Sequence, residues 1–227
     1  MQLAIDTSTD TASIAIVHNG VITAELTWYC GKTHSTELLP NLSRLLTQSN
    51  LRLESITGIV VAKGPGSFNG IRVGISTAKG LALGLGVPLV GISTLEATAY
   101  PHAKTKLPVC AIFNAGRTEI AAAIYQQKQQ WCQLMGDHIT TIDILCSQIN
   151  TKTIFCGEYA PAITEQLKNK LGQKAIVLSL ITRLRRAGFL AELGIKRLEA
   201  GECDNLSTLQ PIYLRKPPIT KPKSCKR

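Results

Sequence analysis

No run of apolar residues in this chain reaches the roughly twenty that a membrane span requires. The most apolar window, Ile75 to Leu95, is interrupted by Lys79, several glycines and Pro88. The chain starts on a strand-like segment rather than a basic stretch followed by an apolar one, so no signal peptide and no membrane contact are expected. Cysteine is present but unpatterned. Cys30, Cys110, Cys132, Cys146, Cys156, Cys203 and Cys225 are odd in number and contain no C-x-x-C pair, which excludes a secreted disulfide framework and a zinc ribbon and fits a reducing cytoplasm. Aromatic residues are scarce, at 5% of the chain, and are not interleaved with basic ones, so no RNA-recognition motif is legible. His18, His34, His102 and His138 lie far apart without ligand spacing, His34 reading as a cap or surface residue, and no metal or other cofactor is expected. The Gly-Lys-Ser/Thr of a P-loop, a G-x-G-x-x-G fingerprint and a G-x-S-x-G nucleophile elbow are all missing.

What the chain does have is a glycine-rich run from Gly64 to Gly86, placed directly after the apolar segment Ile59 to Ala62. It reads as a buried strand, a tight loop and a helix over Phe68 to Leu85 capped by Ser67. A structural turn docked on a neighbour and a ligand-holding loop are both open readings at this point. Upstream, two apolar strands flank a turn at Asp6 to Asp10 and a third follows Asn19-Gly20, a meander with an acid and hydroxyls at its first tip. A helix over Ser35 to Gln48, a strand over Ile56 to Ala62, the glycine-loop helix, a strand over Pro88 to Ile92 and a short helix capped by Ser93 or Thr94 complete a βββαβαβα order. After a polar linker, Pro101 to Leu107, the strands Val109 to Phe113, Glu119 to Tyr125 and Gln130 to Leu134 start a second unit. A helix near Thr141 to Gln148, a strand at Thr153 to Cys156, and helices near Pro161 to Lys170 and Leu180 to Glu199 complete it. At 227 residues the chain is long enough to bury roughly 70% of its unfolded surface without staples.

Five motifs in order, IDTST at Ile5 to Thr9, HSTELLP at His34 to Pro40, GPGSFNGIR at Gly64 to Arg72, GISTLEATA at Gly91 to Ala99 and PIYLR at Pro211 to Arg215, resemble the bacterial TsaB (YeaZ) family of tRNA threonylcarbamoyladenosine biosynthesis. The resemblance implies an α/β, actin-like, ribonuclease-H-like fold of the ASKHA superfamily with a reduced second domain. The domains expected are 1–103, an N-terminal ribonuclease-H-like unit with dimerisation helices, 104–214, a smaller degenerate unit, and 215–227, a basic tail. In nucleotide-binding relatives an acid and hydroxyls on the first hairpin hold Mg²⁺ and phosphate. Here those positions are Asp6, Thr7 and Ser8, expected to be vestigial, because FCGEYA at Phe155 to Ala160 supplies a single glycine for the opposite wall. The related TsaD family places a metal with an H-x-x-x-H pair where this chain has Thr94 and Thr98, and Asn114 stands in NAGR, ending at Arg117, where the family usually has aspartate. No catalytic residue is therefore expected.

The resemblance further implies a scaffold that binds a TsaD-like catalytic subunit, with a TsaE-like ATPase and tRNA in the same assembly, or a homodimer when alone. Leu38, Leu42, Leu46, Ile71, Gly74, Ile75, Ala78 and Ala82 are the interface residues expected on the two helices. The alternatives are a nucleotide-handling enzyme of the same fold and a tRNA-binding module. Net charge is +10, but Arg215, Lys216, Lys221, Lys223, Lys226 and Arg227 supply six of those charges in 215–227, which contains no acid, leaving +4 for the body. That proline-rich tail, expected to be disordered beyond Lys216, would attract RNA nonspecifically. Arg183, Arg185 and Arg186 read as the solvated face of the helix from Leu180, balanced by Glu192 and Glu199.

Overall fold

β-Branched and aliphatic residues crowd the first thirty positions and form β1 (Gln2–Asp6), β2 (Thr11–His18) and β3 (Val21–Tyr29), an antiparallel meander. Asn19 and Gly20 both take positive φ, as the two-residue hairpin turn between β2 and β3 demands. α1 (His34–Gln48) carries the chain to β4 (Gly58–Ala62), and α2 (Phe68–Leu85) carries it to β5 (Leu89–Ile92). Both strands continue the sheet parallel to β1, in the order β3-β2-β1-β4-β5. α3 (Thr94–Ala99) and a 3-10 turn at Tyr100–Thr105, where a plain linker was expected, lead out of this half.

The second half repeats that plan. β6 (Val109–Asn114), β7 (Glu119–Gln127) and β8 (Trp131–Thr141) form a meander, followed by α4 (Ile142–Gln148), β9 (Thr153–Cys156), α5 (Pro161–Leu171), β10 (Ala175–Val177) and α6 (Ala187–Glu199). The strand order β10-β9-β6-β7-β8 matches the first sheet element for element, with β9 parallel to β6 and β10 parallel to β9. The structure, a computed structural model, describes residues 1–116, 118–179 and 184–215. The tail from Lys216 onward, and Arg117, Leu180 and Arg183 among the residues named above, lie outside the described residues.

Both faces of each sheet are covered, which is why the central strands read as nearly unbroken apolar runs. On the first sheet, Leu3, Ile5, Ile14, Ile16, Ile59 and Val61 face α1 and α2, while the smaller Ala4, Ala15, Val60, Ala62 and Val90 face α6. On the second, Cys110, Ile112, Ile120 and Phe155 face α4 and α5, while Val109, Ala111, Ala121 and Ala123 face Leu95 and Ala99 of α3. The halves thus exchange helices: α3 follows the first sheet and packs on the second, and α6 follows the second and packs on the first.

Three expectations need correction. The helix expected from Leu180 begins at Ala187, because Arg186 is extended and the first helical N–H groups are taken by the other half: Ala187 N donates to Ser13 Oγ at 2.9 Å and Gly188 N to Glu25 Oε1 at 2.8 Å. That helix, read as part of the second unit, covers the first sheet. The interface residues Leu38, Leu42, Leu46, Ile71, Gly74, Ile75, Ala78 and Ala82 are all buried within this one chain. Their spacing is that of the inward stripe of each helix, so the small and apolar residues serve the close approach of α1 and α2 to their own sheet. No helix among the described residues is long and apolar enough to cross a membrane.

Candidate functional site

The hairpin tip after β1 lies at the mouth of the cleft between the two halves, and every polar side chain at its base is buried and engaged. Asp6, only 2% exposed, turns back on its own loop: Ser8 N donates to Asp6 Oδ1 at 2.9 Å and Ser8 Oγ at 2.5 Å. Thr7 Oγ1 donates to the Gly70 carbonyl at 2.8 Å, and His34 Nε2 donates to the Thr9 carbonyl at 2.7 Å. His34 is accordingly a buried brace at the start of α1, neither cap nor surface residue.

The glycine loop docks on this hairpin. A Cβ on Gly66 would lie 2.0 Å from the Ser8 carbonyl oxygen, and one on Gly70 would lie 2.1 Å from that of Thr7. Ser67 N donates to Ser8 O at 2.6 Å, and Ser67 Oγ caps α2 by accepting from Gly70 N at 3.3 Å. Those glycines are required by backbone approaching backbone, so the loop is a turn docked on the hairpin, with Gly66 and Ser67 also facing the cleft. Gly157 opposite does the same: its Cβ would fall 2.2 Å from Ile112 O.

The other oxygen of Asp6 holds a residue that sequence reasoning placed in solvent. Arg185 has a side chain 4% exposed, and its Nε donates to Asp6 Oδ2 at 2.9 Å, its Nη1 to Glu158 Oε1 at 2.5 Å and its Nη2 to Thr9 Oγ1 at 2.9 Å. Thr9 Oγ1 in turn donates to Glu158 Oε1 at 2.9 Å, and the Phe113 ring centroid lies 5.4 Å from the guanidinium carbon. Burial pushes the Asp6 carboxyl up, but the Arg185 charge and the Ser8 hydrogen bonds outweigh it and hold the group below its ordinary value. Burial likewise opposes the Arg185 charge, and Asp6 and Glu158 more than restore it. Arg186 is no freer, since it pairs with Glu25. The missed signal was an acid on a buried tip with no cation nearby in sequence; several arginines were available, and nothing local says which one answers it.

A cavity of about 680 Å³ opens against this cluster, lined by Thr9, Asp10, Ser67, Asn114, Glu158 and Leu184 among others. Thr94 and Thr98 lie away from it, buried in α3. Thr94 Oγ1 accepts from Gly64 N at 3.1 Å and Thr98 Oγ1 donates to Thr94 O at 2.7 Å, so both hydroxyls are used in joining α3 to the glycine loop and to itself. A second polar cluster also joins the halves. Asp137 on β8 accepts from Ser93 Oγ at 2.7 Å, Tyr125 OH at 3.1 Å and Gln133 Nε2 at 3.2 Å, and burial together with Asp137 raises the nearby Glu96 carboxyl.

Two ribonuclease-H-like sheets of identical strand order, exchanging helices across a cleft with an acidic first hairpin, define a two-lobed protein of the actin-like ASKHA class. The family described as TsaD, tRNA N6-adenosine threonylcarbamoyltransferase, matches residues 28–217. A Bacillus subtilis tRNA threonylcarbamoyladenosine biosynthesis protein TsaB is 30% identical over 217 residues, spanning 94% of this chain and 93% of that protein. Among solved structures, YeaZ from Pseudomonas aeruginosa superposes with a TM-score of 0.80 at 24% identity, covering 94% of this chain and 99% of that one. An activator of 2-hydroxyisocaproyl-CoA dehydratase from Clostridium difficile, solved with ADPNP bound, shares the fold at a TM-score of 0.51 and 15% identity, covering 90% and 98%. The chain belongs to the TsaB (YeaZ) family, whose curated members are named for tRNA threonylcarbamoyladenosine biosynthesis.

A nucleotide with its metal, which this fold class accommodates, does not fit the hairpin as built. Asp6 Oδ2 is bonded to Arg185 and Oδ1 to Ser8, and the Thr7 and Ser8 hydroxyls are donated within the hairpin and glycine loop.

Proposed function

We propose that this chain is a non-catalytic scaffold that binds a TsaD-like catalytic subunit, in the assembly that transfers threonylcarbamoyl to the adenosine beside the tRNA anticodon, with a TsaE-like ATPase as a further member. The observation that carries this reading is the outward face of α1 and α2. These helices lie against each other on the first sheet, and outward α1 presents Leu39, 52% exposed, while α2 presents Leu83, 75% exposed, together with Ser76, Gly80 and Gly84. A Cβ on Gly80 or Gly84 would meet nothing within 4 Å, so a second helix can approach closely there. Such a face suits a helical partner, either the TsaD-like subunit or, when the chain is alone, a second copy. The nucleotide-handling alternative loses its support at Asp6, where Arg185 stands.

The test is co-expression with the TsaD-like protein of the same organism, with mass and stoichiometry read by light scattering. Ala78→Arg is unsuitable, because Ala78 is 0% exposed and a charge there breaks the core. Leu83→Arg changes only the outer face and is expected to abolish pairing with the far-UV spectrum unchanged. Undiminished association of Leu83→Arg would overturn the placement of the interface, and absence of any complex with the unaltered chain would overturn the scaffold reading.

A further inference from the structure

We propose that the cavity between β5, β8 and α6 is a binding site for an α-amino acid with an aliphatic side chain. The cavity measures about 500 Å³, inside the roughly 300–1,000 Å³ of small-molecule sites. Both halves build it: Lys63 and Glu96 come from the first, Trp131 and Asp137 from the second. None of these residues lies on the outward face of α1 and α2, so the site is independent of what docks there.

What marks the cavity is charge without counter-charge. Arg197, at its rim, is satisfied: its Nε lies 2.9 Å from Glu202 Oε2 and its Nη1 lies 3.5 Å from Asp204 Oδ2. Asp137, by contrast, accepts only from the neutral donors Ser93, Tyr125 and Gln133. Among the described residues, Lys63, Glu96 and Asp137 enter no ion pair. Trp131 Nε1 is buried with no hydrogen bond completed, though the ring lies near enough to Glu96 for its N–H to favour that carboxylate.

These groups are held in place before anything binds. Lys63 N donates to Ile92 O at 2.9 Å and Lys63 O accepts from Ile212 N at 2.7 Å, so the lysine backbone is fixed from both sides. Its stem runs across Gly91, where a Cβ would come within 3.0 Å of Lys63 Cδ. Trp131 is stacked on Tyr125, with ring centroids 5.6 Å apart, and meets Tyr100 edge-on at 5.4 Å.

An α-amino acid answers each unpaired charge. Its ammonium, placed between Glu96 and Asp137, removes the repulsion between two carboxylates in a poorly hydrated site. Its carboxylate supplies the anion that Lys63 lacks and an acceptor for the indole N–H. An amine alone would leave Lys63 without an anion, and a carboxylate alone would leave the two acids facing each other. Ile92, Leu193, Ile212 and Leu214 complete the lining and give an aliphatic side chain an apolar wall.

The experiment is isothermal titration calorimetry of the full chain with leucine, and with three analogues that each lack one feature: isoamylamine, 4-methylpentanoate and glycine. The expected result is one leucine per chain with a Kd below about 1 mM, and each analogue weaker by about ten-fold or more. Glu96→Gln and Lys63→Met, checked for folding by circular dichroism, should each weaken leucine binding by about ten-fold. The analogue series needs no variant, so it stands even if a substitution prevents folding. No saturable binding of leucine in the millimolar range overturns the proposal. Isoamylamine or 4-methylpentanoate binding as tightly as leucine overturns the zwitterion assignment, and glycine doing so overturns the aliphatic one. Leucine binding undiminished in both folded variants overturns the location. Each of these failures leaves the pairing test at Leu83 unaffected.

Discussion

Asp6 is a buried carboxylate held on one oxygen by Ser8 and on the other by Arg185. Replacing it with asparagine strands Arg185 in a buried site with Glu158 as its remaining anionic partner, and breaking a buried pair from one side costs about 3–5 kcal/mol. Urea denaturation of Asp6→Asn should show a lower midpoint with an unchanged slope. The sign of the pH dependence follows from the same contact. The carboxyl titrates lower in the fold than its ordinary value of 3.8, so its stabilisation is complete above that value and is lost as pH falls through the folded value. The unaltered protein should therefore lose stability more steeply below about pH 4 than Asp6→Asn does, a comparison read from denaturation midpoints across that window. The acid itself was legible from its place on an apolar hairpin. Its partner was not: RLRR looks like any solvated basic run, and only the extended backbone before α6 turns one of its arginines inward.

The glycine loop and α2 show how far local pattern carries at the scale of an element. Strand, loop, Ser67 cap and helix span were all readable, because apolar spacing, a capping hydroxyl and the αL residue Gly86 just after Leu85 are local signals. The purpose of each glycine was not, since that depends on what lies opposite. Two substitutions separate the cases. Gly66→Ala places a methyl group 2.0 Å from Ser8 O and should lower the melting temperature, because hairpin and loop cannot both stay. Gly80→Ala meets open space within an α-helix and should raise the stability of the isolated chain by about 0.5–1 kcal/mol. Thermal melts of both, side by side, check the assignment; a stabilised Gly66→Ala would mean the loop is not docked. The short strand β10 escaped sequence reading for a related reason, since Ala175–Val177 carries too few residues to show a period and is recruited by pairing with β9.

Helix exchange governs the molecule as a whole. A fragment ending at residue 103 contains the first sheet with α1 and α2, but lacks α6, so Ala4, Ala15, Val60 and Val90 lose their cover. Such a fragment should fail to unfold cooperatively in thermal melts followed by circular dichroism, whereas the full chain should do so; cooperative unfolding of the fragment would show that α6 is dispensable to the first sheet. The amino-acid sequence by itself determined most of the strands and helices, their order, and the motifs that assign the family, because these depend on periodicity, caps and turns within a few residues of each other. Tertiary structure alone decided which faces are spare and which charges are free. The leucines and small residues of α1 and α2 turned inward because their own sheet needed covering, α6 crossed to the lobe it does not follow in sequence, and Arg185 went to the acid that burial had left without a counter-ion. Each of these choices joins residues tens of positions apart or more, and the free energy that selects among them, desolvation of a charge and closure of an apolar face, exists only once the two lobes are in contact.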